Sequence, residues 1–457
     1  MTLTLAIWLG LYGLFAVLMF RRAAWGIPLY LMTYYASPHF WWWGKSLTGT
    51  VGDRINLFTG LLFATGALMQ ASGSRFKLSA PQRRVSQLLL LYAINATVVH
   101  FAFAANAPRS LNGMTMIWKQ VVISYLFMLV LRSRKDLQIL LGTIIVGSMY
   151  IAFEVVINER GHFSASRLEG VGAPGASESN YLAGLLLLAI PLAGSWLLIG
   201  NWKQRLVSIP ALALTFEVIL RCNSRGAFLA AIAGGGYLLL AARGRARTVA
   251  LVAMVLAGAG AMLMINDQDI LNRFSTTFAS GEERDHSASE RLNFWGAAVR
   301  MIAENPLGSG AEAAFKSDLG ARYIQTFFPG HKAVHQGYLD IAAGWGIQGF
   351  LLYMGTIAYC WILLRRTTKA ARNAGDATSA FIGVCIETAL VVQLASSVFI
   401  SSLDGEWFFW LYATCTTYAT AYAPARNRSV EPAWARWNAT QMFSPPAVRW
   451  PPTPGRQ

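Results

Sequence analysis

Residues 181–247 read YLAGLLLLAIPLAGSWLLIGNWKQRLVSIPALALTFEVILRCNSRGAFLAAIAGGGYLLLAARGRAR. Three apolar runs, near 181–199, 205–221 and 225–243, are separated by two short joints of opposite character. The first joint carries Lys203 and Arg205, and Arg243, Arg245 and Arg247 follow the third run. The second joint is the turn Asn223-Ser224-Arg225-Gly226. Runs of this length, wound as helices, match the roughly 30 Å hydrocarbon layer of a bilayer. Lys and Arg collect in cytoplasmic loops, so the two basic joints lie inside and the Arg225 turn lies outside.

The same rhythm extends in both directions. Further apolar runs fall near 3–20, 23–43, 54–72, 85–105, 114–132, 137–157, 247–265, 336–364, 379–402 and 407–423. Basic clusters follow every second run: Arg21-Arg22; Arg75, Lys77, Arg83 and Arg84; Arg132, Arg134 and Lys135; Arg365, Arg366, Lys369 and Arg372. This predicts an all-α polytopic membrane protein with about 12–13 transmembrane helices, the C-terminus inside and the N-terminus outside. The second run is the weakest, because Pro38-His39-Phe40-Trp41-Trp42-Trp43 suits an interfacial or re-entrant segment. If it does not cross, the N-terminal end inverts.

Composition excludes the alternatives. The 457 residues are 55% apolar and only 13% charged, with a mean hydropathy of +0.42. A soluble domain of this size needs more polar surface, and a β-barrel needs alternating rather than continuous apolar runs. The net charge of +16 would suggest nucleic-acid binding in a soluble chain. Here the positive-inside rule accounts for much of it, and no nucleic-acid partner is expected. The four cysteines show no CxxC spacing and read as buried small hydrophobes. Four regions follow: an N-terminal transmembrane bundle (1–265), a long outer loop (266–335), C-terminal transmembrane helices (336–423) and a proline-rich tail (424–457) read as disordered and cytoplasmic. Within the outer loop, Ser287-Ala288-Ser289-Glu290 reads as a capping box. Leu292, Trp295, Val299 and Ile302 then form one apolar helix face, stopped by Pro306, Gly308 and Gly310.

No metal-ligand motif and no nucleotide loop occurs, so no metal and no cofactor is expected. The chemistry-bearing residues lie on the outer side instead: Arg160, Arg167, Arg225, Arg284, Arg291 and Arg300. A guanidinium presents a fork of donors matched to phosphate oxygens, and several together could hold a diphosphate; snorkelling to lipid headgroups is the other reading. His335 opens a run, followed by Gln336-Gly337-Tyr338 and Gly344-Trp345-Gly346. Its imidazole suits a general base acting on a sugar hydroxyl, with His331 as the rival candidate and a structural histidine as the plain alternative. Small residues at Gly344 and Gly346 let a helix or lipid approach closely. The intramembrane Glu154, Glu217, Glu387 and Lys119 would matter in a transporter.

Four outer motifs, in order over roughly residues 150–350, resemble the O-antigen ligase and polymerase superfamily. They are Ser224-Arg225-Gly226; Ser289-Glu290-Arg291-Leu292-Asn293-Phe294-Trp295 with Arg300; Asn305-Pro306-Leu307-Gly308-Ser309-Gly310; and His335-Gln336-Gly337-Tyr338 with Gly346 and Gly349. Ala24-Trp25-Gly26 and Ser37-Pro38-His39 are similar to an O-glycosylation ligase branch. The resemblance implies a C-type (GT-C) glycosyltransferase fold in the bacterial inner membrane, with its active site on the periplasmic side. It implies metal-independent, inverting transfer of a glycan from undecaprenyl diphosphate to lipid A–core or a similar acceptor. Arg225, Arg291 and Arg167 would bind the diphosphate and His335 would activate the acceptor, with Arg300, Asn180, Tyr338 and His331 as further contacts. Two positions depart from the pattern: Ser177-Glu178-Ser179-Asn180 stands where Asp-x-Asn is common, and Gln336 where Asn or Ser is common. The alternatives are a polymerase, with a second lipid-linked glycan as acceptor, and a polysaccharide or lipid transporter or flippase. Membrane lipids are partners under every reading.

Overall fold

The structure is a computed structural model that describes residues 2–71, 77–164, 166–173, 177–264, 286–311, 313–324, 333–403 and 405–422. It is an all-α polytopic membrane protein. Its helices are α1 (Leu3–Arg21), α2 (Gly26–Tyr35), α3 (Ile55–Ala71), α4 (Ala80–Phe103), α5 (Ala107–Val130), α6 (Arg134–Val156), α7 (Ser179–Ile199) and α8 (Trp202–Arg221). They continue with α9 (Arg225–Ala241), α10 (Arg245–Met264), α11 (His286–Glu304), α12 (Ala313–Lys316), α13 (Asp318–Ile324), α14 (Gly337–Asn373), α15 (Ala377–Ser396) and α16 (Glu406–Tyr422). Among the described residues the only sheet is a hairpin of β1 (His162–Ser164) and β2 (Arg167–Glu169).

Seven helices, α1, α4, α5, α6, α7, α14 and α15, are long and apolar enough by themselves to cross a membrane. The expected runs at 54–72, 205–221, 225–243, 247–265 and 407–423 are also single helices, α3, α8, α9, α10 and α16, of 17 to 20 residues. Exposed apolar side chains such as Leu14, Leu61, Val98, Leu206 and Ile232 stud the outward faces of these helices, as a lipid-facing surface requires. α16 is the reverse: Trp407 to Ala419 are all buried, so it is covered on every side and central. Its Thr414 and Thr416 hydroxyls donate to carbonyls four residues back, which satisfies them without partners on other helices.

The weak second run does cross the bundle. At one end Arg22 Nε donates to Asp136 Oδ1 of α6 at 2.8 Å. Tyr35 then lies against Gly147, Trp43 donates to the Tyr150 hydroxyl at 2.7 Å, and Trp42 donates to Glu154 at 3.1 Å. Residues 136–154 of a helix rise about 27 Å. The second run climbs that height as a ten-residue helix continued by an irregular segment that includes a 3-10 turn, Trp42–Leu47. Non-helical backbone is tolerated at membrane depth only when protein covers it, and Trp41 and Trp43 are each 2% exposed. α3 consequently returns parallel to α1, with Tyr12 bonded to Thr59 and Gln70 to Met19. The N-terminus therefore lies opposite Arg22.

The basic clusters gather at one end. Arg134 meets Asp376 at 3.6 Å and the Ala421 carbonyl, while Arg372 donates to the last carbonyl of α9, Ala241. α14 runs further than expected, to Asn373, and its part beyond a non-helical Gly346 rises about 40 Å. Arg365, Arg366, Lys369 and Arg372, read above as a loop, are instead on its projecting helical end. The proline-rich tail lies outside the described residues.

Candidate active site

At the opposite, outer end, three inward-running helices begin together. α8 stops at Arg221, and Asn223 turns the chain in the left-handed region (φ 45°). Ser224 then caps α9, its hydroxyl accepting from Ala227 N at 3.3 Å. A Cβ at Gly226 would lie 2.6 Å from Phe399, so only glycine lets α9 start this close to its neighbour. Ser224 Oγ donates to Asn180 Oδ1 at 2.7 Å, tying α9 to the first turn of α7. Asn223 Nδ2 donates to the Ser166 carbonyl at 3.2 Å, tying the same turn to the β1–β2 hairpin and hence to Arg167 and Glu169. α14 starts beside them, with Gly337 N donating to the Ser397 carbonyl at 2.8 Å. Helix N-termini carry partial positive charge and unpaired N–H groups, so this convergence favours an anion.

The outer-loop helix α11 is brought in by its exit. Gly308 and Gly310 adopt φ of 92° and 89°, and the Asn305–Gly310 segment lies in a kink of α14 at Gly346 (φ 77°). Gly310 N donates to the Gly344 carbonyl at 2.9 Å, and Ile347 N donates to the Pro306 carbonyl at 2.9 Å. Asn95 and Gln348 side-chain amides donate to the Trp345 and Leu307 carbonyls. Gly344 and Gly346 were expected to admit a helix or lipid; what enters is this loop's backbone, while α4 approaches Gly349 through Asn95. The buried face of α11 is Phe294, Ala297, Ala298 and Met301, each at most 1% exposed. Trp295 and Ile302 flank it, but Leu292 and Val299 are 46% and 56% exposed, correcting the expected face. Alanines let α11 sit against Ala343 and Phe315 where larger residues would hold it off. The helix begins at His286; of the expected capping box, the side chains of Ser287, Ala288 and Ser289 lie outside the described ones, and Glu290 is half-buried.

The result is an outer cleft of about 340 Å³, lined by Arg167, Glu169, Glu178, Ser179, Asn180, Glu290, Arg291, Phe294 and His335. Four of the expected site residues therefore share one space: Arg167, Arg291, Asn180 and His335. Arg225 is not in the lining; it follows Ser224, whose bond to Asn180 holds it beside the cleft. Arg300 is exposed on the far side of α11. Tyr338 points away, its hydroxyl donating to the Leu394 carbonyl of α15 at 2.8 Å. Neither Arg300 nor Tyr338 lines the cleft. His331 lies outside the described residues.

Among the described residues, four non-glycine positions have left-handed backbone, and three of them, Ser166, Asn223 and His335, frame this cleft. Such strain costs about 1–3 kcal/mol per residue and persists where the surroundings over-determine it. Three carboxylates, Glu169, Glu178 and Glu290, share the cleft with the cations. Sequence reasoning did not assign Glu169, Glu290 or Phe294 a place here, although Glu290 and Phe294 stand inside a quoted motif and Glu169 is two residues from Arg167. The Cys222 thiol behind the turn is pushed up by burial and by the Glu169 carboxylate, with Arg167 opposing. Among the described residues no cluster of three His, Cys, Asp or Glu side chains could hold a metal ion.

A second cavity of about 610 Å³ adjoins the first and shares Glu178. Its walls combine aromatic faces (Tyr34, Phe40, Tyr181, Trp345, Trp407) with Asn56, Asn112, Gln120, Lys316, Asp340 and Glu406. Glu406 accepts from the Tyr30 hydroxyl. The intramembrane carboxylates also have partners: Glu154 accepts from Trp42, Tyr150 and Asn158, Glu217 from Arg221, and Glu387 from Arg365 and Tyr237. Lys119 is exposed and is not paired with Glu154.

Residues 210–354 match the O-antigen ligase family model. The matched stretch holds the Ser224-Arg225-Gly226 turn, α11, the loop in the kink and His335; Arg167, Glu178 and Asn180 precede it. No curated protein matches the chain. The O-antigen ligase match supports a membrane-bound, glycosyltransferase-like enzyme of ligase or polymerase type, acting on lipid-linked glycan and acceptor substrates.

Proposed function

We propose that the chain is an O-antigen ligase-type transferase of the bacterial inner membrane. It moves a glycan from undecaprenyl diphosphate to an acceptor hydroxyl, on lipid A–core or a similar glycan, at the periplasmic face. The observation that carries this reading is the shared cleft of Arg167, Arg291 and His335 at the outer end, beside the N-termini of α7, α9 and α14.

His335 takes the acceptor proton as the hydroxyl oxygen attacks the anomeric carbon. The bond from that carbon to the diphosphate oxygen breaks on the opposite face, which inverts the centre. The electron pair leaves on the lipid diphosphate, and the guanidinium groups and helix N-termini stabilise it, in the role a metal often fills. The carboxylates of Glu169 and Glu290 hold the cationic side chains in place before the donor arrives. The larger cavity takes the sugar end: aromatic faces stack on the C–H faces of a pyranose, and amides and carboxylates meet its hydroxyls. Glu178, common to both spaces, orients the hydroxyl that reacts.

The ion-paired state of Glu217 and Glu387 leaves little for a transport mechanism built on them. The deciding assay is purified protein with glycan on undecaprenyl diphosphate, offered lipid A–core or a second lipid-linked glycan, with and without chelator. Transfer to lipid A–core that survives chelation is expected. Elongation of the lipid-linked glycan alone would make the chain a polymerase, and full loss with chelator would overturn the metal-free mechanism.

A further inference from the structure

We infer that the cytoplasmic end of the bundle carries a separate binding site for an acidic phospholipid. The ends of α9 and α14 and the start of α15 enclose two adjoining hollows. One, about 490 Å³, is walled by Arg243, Arg365, Arg366, Lys369 and Arg372, with no carboxylate in its wall among the described residues. The other, about 510 Å³, shares Arg243 and Arg372 but is otherwise mostly apolar, with Phe381 and Val384 in its wall.

The charges in the basic hollow are unevenly compensated. Arg365 donates to Tyr237 at 2.9 Å and to Glu387 at 3.3 Å. Arg372 is bound at 2.6 Å to a neutral carbonyl, which is not a counter-ion. Arg243, Arg366 and Lys369 make no ion pair or hydrogen bond among the described residues. Asp376, just before α15, accepts from the Ser379 hydroxyl and backbone N–H and also meets Arg134, which together hold its carboxyl below the usual range.

The positive-inside rule explains why cations are on this side, but not why they line a concavity that runs into an apolar one. A free phosphate satisfies only the basic hollow, and a neutral lipid only the apolar one. An acidic phospholipid satisfies both: its phosphate neutralises mutually repelling cations and its acyl chain fills the apolar space.

The test uses the full-length protein in a neutral detergent, with thermal melting read after adding phosphatidylglycerol, phosphatidylcholine or inorganic phosphate. Phosphatidylglycerol is expected to raise the melting temperature in a saturable way, and the other two are not. The triple variant Arg243→Gln, Arg366→Gln, Lys369→Gln should bind phosphatidylglycerol roughly 100-fold more weakly. An undiminished response in that variant, or an equal response to phosphate alone, overturns the inference. Should the triple variant not fold, Ala377→Trp serves instead. It places an indole at the mouth of the apolar hollow from an exposed position and leaves every cation in place. Loss of the lipid response supports the site, and its retention refutes it.

Discussion

Both ends of this bundle are rich in arginine, and the two ends use it differently. At the outer end Arg167 and Arg291 share a small cleft with three carboxylates and a histidine, among the N-termini of inward-running helices. At the cytoplasmic end Arg243, Arg366 and Lys369 stand without acids near the C-termini of α9 and α14. Cations at helix C-termini are favoured by the backbone itself, so their presence there is not by itself a pointer to chemistry. Cations held among helix N-termini are opposed by the backbone, and the nearby carboxylates offset that cost. Charge set against its backbone field is the stronger pointer to chemistry, which is why transfer is assigned to the outer end.

The largest expected effect separates the ends outright. His335→Ala should lower glycan transfer by about 10²–10⁴-fold, the usual contribution of a general base, with membrane insertion retained. Near-normal turnover would pass the role to Glu178, which lies where the two cavities meet.

Next come the guanidinium groups. Arg291→Lys or Arg167→Lys should cost about 10²–10³-fold in turnover, because a point charge does not reproduce the planar fork on a diphosphate. The same change at the cytoplasmic Arg366 should leave turnover within about twofold. Equal losses at both ends would mean that bulk charge, not cleft geometry, governs the reaction.

A smaller effect tests how the cleft is assembled. A Cβ at Gly308 would fall 2.5 Å from the Gly346 nitrogen, at a φ of 92°. Gly308→Ala should cost about 1–3 kcal/mol and lower the melting temperature. Transfer should fall with it, since the loop that seats α11 on α14 is displaced; full activity would show that α11 is positioned by other means. The smallest effect is at Arg300, which lies outside the cleft. Arg300→Ala should change turnover by less than about twofold.

Much of this site was legible in the chain. Short motifs carried it, because a turn that needs a cap and a glycine writes them within four residues, as Ser224-Arg225-Gly226 does. The run-and-cluster rhythm likewise placed Arg225 and His335 on one side. The second run was ambiguous for a physical reason: its upper part is held by tryptophan bonds to Tyr150 and Glu154, more than a hundred residues away, and not by its own helical pattern. The face of α11 was misread because periodicity weights large side chains, whereas this contact is made by alanines. Tyr338 and Arg300 sat in the right motifs and faced the wrong way, since a motif fixes spacing and not rotation about the helix axis.

Apolar run length and the side on which basic residues fall are properties of the chain and the bilayer alone. They were enough to determine the all-α membrane class and to place Arg225 and His335 at the same end of the bundle. Which side chains share the 340 Å³ cleft, that a larger cavity adjoins it, and that two hollows meet at the cytoplasmic end were decided only by tertiary packing. A cavity is the space that several distant segments leave unfilled, so no single stretch of sequence encodes it.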